Sequence, residues 1–279
     1  MKQHTIQSPF SFVGKGLHTG IVIHSTFLPG EPNSGIRIRR TDLSGQPTYE
    51  ALAEYVSATE RGTVLEYGSW KVSTVEHALS ALYAMHVDNC LIEVDGPEVP
   101  ILDGSAILFV DAIRKAGIVE QDAPQKEFIV TNPIDYKSEN GNRMTLLPAN
   151  SYELEVQLSY PSGLLKDQRA TLTNLDDYAT EIARARTFCF VSEIKPLLDM
   201  GLIKGGDLEN ALVIDNEESK YLNPLIYPNE PARHKLLDVI GDLALLGCRI
   251  RGRVSTIKPG HTFNTTCCRQ LRNLILQNI

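Results

Sequence analysis

The stretch PARHKLLDVIGDL, residues 231–243, places His234, Asp238 and Asp242 at intervals of four. On a helix an imidazole and a carboxylate at i and i+4 stand one turn apart on the same side. Two such donors on one turn can bind one metal ion with little ordering entropy, and zinc takes both kinds. The competing reading is a surface His–Asp pair, worth roughly a few tenths of a kcal/mol. A metal site therefore needs a third ligand from elsewhere. The remaining histidines are His4, His18, His24, His77, His86 and His261. His77 stands out because it opens a helical stretch beside Glu76, and a carboxylate next to a histidine ligand is what a metal hydrolase needs as general base. The string Ser73-Thr74-Val75-Glu76 also matches a capping box, in which Glu76 reaches back to the Ser73 amide. That reading occupies Glu76 and leaves His77 unexplained. His261, on the Pro-Gly turn of KPGHTFN, reads as an exposed loop histidine or as a loop-borne acid.

These residues need elements to position them. IVIHSTFLP alternates apolar and polar residues as a half-buried strand does, and GIRIRRTDL and NCLIEVDGP are further strands. VSTVEHALSALYAMHV has helical spacing, and GSAILFVDAIRKAGI predicts a second helix capped by Ser105 and stopped by Gly117. A polar seam, EQDAPQKE, follows at about 120–127. Beyond it the order recurs: strands KEFIVTNPIDY, RMTLLPA and YELEVQLSY, a helix over 231–247, the strand RIRGRVSTI and a last helix from about 264. In 231–247 Pro231 suits the first turn, and Leu236, Leu237, Ile240 and Leu243 belong to the buried stripe. The expected fold class is α+β: two related domains, 1–122 and 127–279, each a mainly antiparallel sheet layered on helices.

The 279 residues suit two domains. A formal net charge of −7 argues against nucleic acid as a partner, since phosphate binding needs a concentrated positive field. The cluster Arg249, Arg251 and Arg253 reads as a solvated strand edge kept from aggregating by charge. Five cysteines without CxxC spacing suit a reducing compartment, and no apolar run approaches the length of a membrane span. A soluble, cytoplasmic protein is expected.

STVEHALSAL, VDGPEVPILDGSA, ARTFCF, RHKLLDVIGDLALLG and KPGHTFN, in that order, resemble the zinc-dependent UDP-3-O-acyl-N-acetylglucosamine deacetylase family of lipid A biosynthesis. The resemblance runs from GKGLHTG (14–20) to about residue 265. It implies Zn2+ held by His77, His234 and Asp238, with Glu76 as general base. It places His261 on the family's histidine that handles the leaving amine, with Asp242 orienting it. Thr187 falls on the hydroxyl that holds the oxyanion, Lys235 on a cation near the substrate's diphosphate or sugar, and Phe188 and Phe190 on the sugar and acyl site. An insert at about 191–215 resembles the hydrophobic passage for the acyl chain, with Leu197, Leu198, Leu202 and Ile203 as its candidate lining. Arg143 stands where family members often carry a substrate-binding lysine, and a planar fork replaces a point donor there. The family fold packs the helices of the two domains face to face, with the site at the junction. Some members are fused to a dehydratase, so a fused or associated dehydratase domain is a further expectation. The implied substrate is UDP-3-O-acyl-N-acetylglucosamine. Two readings compete: a zinc hydrolase of another substrate, and a two-domain binding module in which His234 and Asp238 are a surface pair.

Overall fold

The computed structural model describes residues 1–160 and 163–277. Two sheets with the same strand order build the molecule. The first runs β2 (Phe10–Lys15), β3 (Val22–Pro29), β9 (Cys90–Val94), β4 (Ile36–Arg40), β5 (Thr48–Glu50). The second runs β12 (Ile134–Lys137), β13 (Arg143–Leu147), β19 (Arg249–Ile257), β14 (Tyr152–Gln157), β15 (Arg169–Leu172), and β11 (Glu127–Ile129) also pairs with β19. In each sheet a late strand enters the middle, parallel to one neighbour (β9 to β4, β19 to β14) and antiparallel to the other. The inward residues alternate as the pleat demands: Ile23, Ser25 and Phe27 of β3 are all buried.

The helices lie between the sheets. α1 (Glu76–Ala84) packs with α2 (Ile107–Ala116), and α2 touches β2. α5 (Glu230–Ala244) lies on β14 and β15 with α6 (His261–Gln277) beside it. α1 packs directly on α5, so the two helical layers meet face to face. Every residue of α1 is buried, Glu76 and His77 included. An added Cβ at Gly241 of α5 would lie 2.1 Å from the Glu76 carbonyl oxygen. The missing side chain is therefore what lets α5 approach the first turn of α1.

Smaller elements complete the fold. β1 (Lys2–Ile6) and β10 (Ile118–Pro124) form an antiparallel ribbon. β6 (Val56–Ala58), β7 (Val64–Tyr67) and β8 (Trp70–Val72) form one small sheet, and β16 (Phe188–Phe190), β17 (Leu212–Asp215) and β18 (Lys220–Tyr221) another. α3 (Tyr178–Glu181) precedes β16, and α4 (Val191–Asp199) follows it. Among the described residues no helix is long and apolar enough to cross a membrane.

Three local expectations need correction. The polar seam at 120–127 is mostly strand, because β10 is an exposed ribbon whose polar side chains face solvent while its backbone pairs with β1. The crossing to the second sheet falls at Gln125–Lys126, after which β11 joins β19. RIRGR is no sheet edge: β19 is an interior strand, and each arginine meets a carboxylate instead of solvent alone. Arg249 pairs with Asp88 at 2.9 Å, Arg251 with Glu127 at 3.3 Å and Arg253 with Glu153 at 2.6 Å. Arg249 is buried and also donates to the Val87 carbonyl at the end of the α1 turn, bridging the two halves. Finally α6 begins at His261 itself, which makes that residue the opening of a helix, not part of a free loop.

Candidate metal centre and its surroundings

α5 is the ruler of the site. Pro231 lies in its first turn, where a missing N–H costs nothing, and its apolar stripe packs Leu236, Leu237, Ile240 and Leu243 into the core. His234, Asp238 and Asp242 follow one another along the side facing α1, and all three are buried. His234, Asp238 and Asp242 are thus enclosed, and the face read as solvent-facing in the competing surface-pair reading is buried.

His77, His234 and Asp238 could hold a metal ion: one ligand atom from each lies within 4.8 Å of the others. Asp238 Oδ1 stands 3.3 Å from His234 Nε2 and 3.8 Å from His77 Nε2. That oxygen is buried and has no hydrogen-bond partner, an arrangement that is costly unless something else satisfies it. Its twin Oδ2 accepts from Lys235 Nζ at 2.7 Å. His234 Nδ1 lies 3.0 Å from the Ala185 carbonyl, which accepts the ring N–H and leaves the Nε2 lone pair facing the cluster. Burial, then neighbouring His234, pushes His77 down to about 3, and burial also lowers His234, so both rings are neutral donors. Burial works against the Asp238 anion, yet His234, Lys235, His261 and His77 hold it well below the usual carboxylate range. Two neutral imidazoles and one carboxylate are a donor set that suits a divalent cation and leaves coordination positions open.

Glu76 makes no capping box. Ser73 donates its hydroxyl to Pro97, and the Glu76 carboxylate accepts from the Thr63 backbone N–H at 3.0 Å. Freed from Ser73, it reaches into the cavity, its Oε1 4.0 Å from His261 Nε2. Burial raises its pKa to about 7, with Asp238 and Asp242 adding to the rise and His261 opposing it. His261 shows the opposite balance. Burial disfavours its cation, but Asp242 above all, then Asp238, raises it to about 9. Its Nδ1–H donates to Asp242 Oδ2 at 3.0 Å. Asp242 is held in turn by the Asn264 amide at 2.9 Å and the Thr63 hydroxyl at 2.6 Å.

The group lies at the floor of a cavity of about 620 Å3 lined by Glu76, His77, Thr187, Phe188, His234, Lys235, Asp238 and His261, among others. Lys235 sits over the Phe188 ring at 5.4 Å, and although burial disfavours the ammonium, Asp238 raises its pKa above the ordinary lysine value. A second cavity of about 200 Å3 adjoins the first through Leu17, Arg61, Thr187 and Phe188, which line both. Its walls include Ile194, Leu197, Ile203 and Val213.

Other expected residues stand back. Phe190 lines neither cavity; it is buried, with its ring 5.7 Å from Tyr160 and 6.4 Å from Phe188. Leu202 is outside the apolar lining and Leu198 is exposed, while Leu197 and Ile203 face in. Arg143 points outward and its guanidinium binds Asp135 at 2.8 Å; Ser138, Asn140 and Asn142 of the adjoining β12–β13 turn reach the large cavity instead. Sequence reading passed over Thr63, Asn264 and Ala185, which orient the site. Ala185 and Asn264 lie inside ARTFCF and KPGHTFN, but their roles, like that of Thr63, rest on contacts between separate segments that the strings do not show.

Fold and donor set together define a two-sheet α+β protein with a buried His-His-Asp cluster of the kind that binds a divalent cation, placed where two helical layers meet. A sequence profile described as LpxC, UDP-3-O-acyl N-acetylglycosamine deacetylase, matches residues 3–273. The chain belongs to that family. It is 48% identical to the bifunctional enzyme LpxC/FabZ of Porphyromonas gingivalis over 99% of this chain and 65% of the relative. It is 40% identical to the UDP-3-O-acyl-N-acetylglucosamine deacetylase of Myxococcus xanthus, covering 96% of this chain and 86% of that protein. The corresponding Legionella pneumophila protein is 38% identical over 97% and 90%. The chain thus spans about 65% of the length of the bifunctional relatives it matches.

Proposed function

We propose that the chain removes the N-acetyl group from UDP-3-O-acyl-N-acetylglucosamine, giving the free amine and acetate, the committed step of lipid A synthesis. The observation that carries this reading is the convergence of His77, His234 and Asp238 on one buried point, with Glu76 and His261 beside it and an apolar cavity adjoining. His77, His234 and Asp238 would hold zinc, which as a Lewis acid polarises the amide and makes water a nucleophile near neutral pH. The set also accommodates iron, so metal analysis names the ion.

The side chains then divide the proton work. Glu76, with its pKa near 7, takes the proton of the attacking water as a carboxylate. The Thr187 hydroxyl donates to the oxygen that becomes negative, where a fixed donor helps the transition state more than the substrate. An amide nitrogen leaves only once protonated, and His261, cationic up to about pH 9, gives its Nε2 proton to that nitrogen. Asp242 keeps the ring charged and aimed. Lys235 offers its ammonium to the anionic or sugar part of the substrate, Phe188 packs against the sugar, and Phe190 backs it. We assign the acyl chain to the apolar cavity of the insert at about 191–215, with Ile203 in its wall and Leu202 behind it. We also propose a division into two domains near 122–127, a cytoplasmic setting and a fused or associated dehydratase domain.

The test is acetate release from UDP-3-O-acyl-N-acetylglucosamine compared with the same nucleotide sugar lacking the 3-O-acyl chain. The reading expects the acylated compound to be strongly preferred. Equal rates would remove the apolar cavity from substrate selection and favour another substrate class.

A further inference from the structure

The loop Thr59–Thr63 joins β6 to β7 in the first half of the molecule, and three of its side chains reach the second half. Thr59 Oγ1 lies 2.7 Å from Thr262 Oγ1, Arg61 lies 2.5 Å from Glu193 at the start of α4, and the Thr63 hydroxyl lies 2.6 Å from Asp242 Oδ1. The first two ties are partly exposed, whereas Thr63 is completely buried. Its backbone N–H also donates to Glu76 Oε2 at 3.0 Å, and its Oγ1 stands 3.3 Å from His261 Nδ1. A single residue thus touches the carboxylate read as base, the ring read as acid and the carboxylate that orients that ring. The residue before it makes room: a Cβ at Gly62 would crowd Glu76 Oε1 at 3.2 Å.

A proton count shows what the hydroxyl does. Threonine has one hydroxyl proton, and an ionised carboxylate can only accept. The proton therefore goes to Asp242 Oδ1, while Oδ2 accepts from His261 Nδ1–H and from Asn264. With one oxygen pinned from the first half, the carboxylate plane is fixed and the other oxygen holds the ring by Nδ1. Nε2 is then left pointing between Glu76 Oε1 at 4.0 Å and Asp238 Oδ2 at 3.8 Å. Without the hydroxyl only Oδ2 is held, by Asn264 and by the ring itself, and the soft terminal torsion of the aspartate is no longer fixed from the other side.

We infer that Thr63 is a positioning residue for the hydrolysis, setting Asp242 and through it His261 from across the junction while its backbone N–H holds Glu76. The inference rests on the roles given above to Glu76 and His261. The variants are Thr63→Val, which keeps the shape and the N–H but deletes the hydroxyl, and Thr63→Ser, which restores it. In the metal-loaded full chain, Thr63→Val should lower kcat about 10- to 100-fold with KM within about 2-fold, and Thr63→Ser should recover to within about 3-fold of the parent. An unchanged kcat in the valine variant, equal losses in valine and serine, or a loss confined to KM overturns the inference. If the valine chain does not fold, Thr63→Ala takes its place with the same expectations.

A second readout needs no turnover. In chains labelled with 15N-histidine, the His261 Nδ1–H signal should be protected from exchange in the parent and the serine variant, and lost in the valine variant. A valine spectrum like the parent's overturns the inference. A parent chain that shows the protected signal yet hydrolyses nothing refutes the functional reading and leaves Thr63's hold on His261 standing.

Discussion

Asp238 and Asp242 stand one turn apart on the same buried helix, each beside histidine, yet the two groups carry opposite charge logic. His77 and His234 share the single carboxylate of Asp238, which also holds the Lys235 ammonium. Around His261 is one imidazole within reach of Asp242, Asp238 and Glu76. Burial disfavours charge on every ring, so the count of carboxylates per ring decides the outcome. His77 is pushed to about 3 and His234 is lowered, while His261 is raised to about 9. On the proposed roles, one helix supplies metal donors at one turn and a proton donor's partner at the next. Identical residue types do different chemistry because of what faces them across the helix–helix junction.

The sharpest way to break the comparison is to delete a donor. His77→Ala or His234→Ala should abolish cation binding and turnover together, checked by metal analysis and acetate release on the same preparation. Glu76→Ala should instead keep the cation and lower turnover by about 10²- to 10⁴-fold, the range of a lost general base. Loss of the ion in that variant would erase the distinction between donor and base.

The charged pair is tested by pH. In the proposed role His261 acts protonated, so activity that depends on it should persist below about pH 9 and fall as pH rises through it. In the proposed role Glu76 acts deprotonated, so the acid limb should rise through about pH 7. Asp242→Asn removes the largest cause of the His261 rise, and the basic limb should move to lower pH. A basic limb that does not move would give the protonated role to another group. The smallest effect concerns the spacing of the two pairs. Gly241→Ala places a methyl group where the Glu76 carbonyl already sits, and should cost about 1–3 kcal/mol of stability in denaturant unfolding.

Much of this architecture was legible in the residues. The alternation of β3, the helix from Pro231 and the recurrence of strand and helix order all follow from local periodicity. His234 and Asp238 were legible as a pair because helical spacing is local, whereas their link to His77 came only with the family resemblance. What escaped was decided by pairing between distant segments. β19 looked like a charged edge because its arginines are polar, but Asp88, Glu127 and Glu153 come from elsewhere in the chain and neutralise an interior strand. The Ser73–Glu76 string fitted a cap, yet the Thr63 amide binds that carboxylate instead. Arg143 offered the expected charge, and Asp135 on the neighbouring strand occupies it. Thr63 itself has no signature at all, since its value lies in an aspartate 179 positions later.

The most direct measurement strips the chain of metal with a chelator, then follows acetate release from UDP-3-O-acyl-N-acetylglucosamine as zinc is returned. The account predicts no turnover in the stripped chain and full recovery at one ion per chain, with no recovery in the His234→Ala variant. Turnover that survives removal of the ion, or recovery in a chain lacking that imidazole, would contradict it.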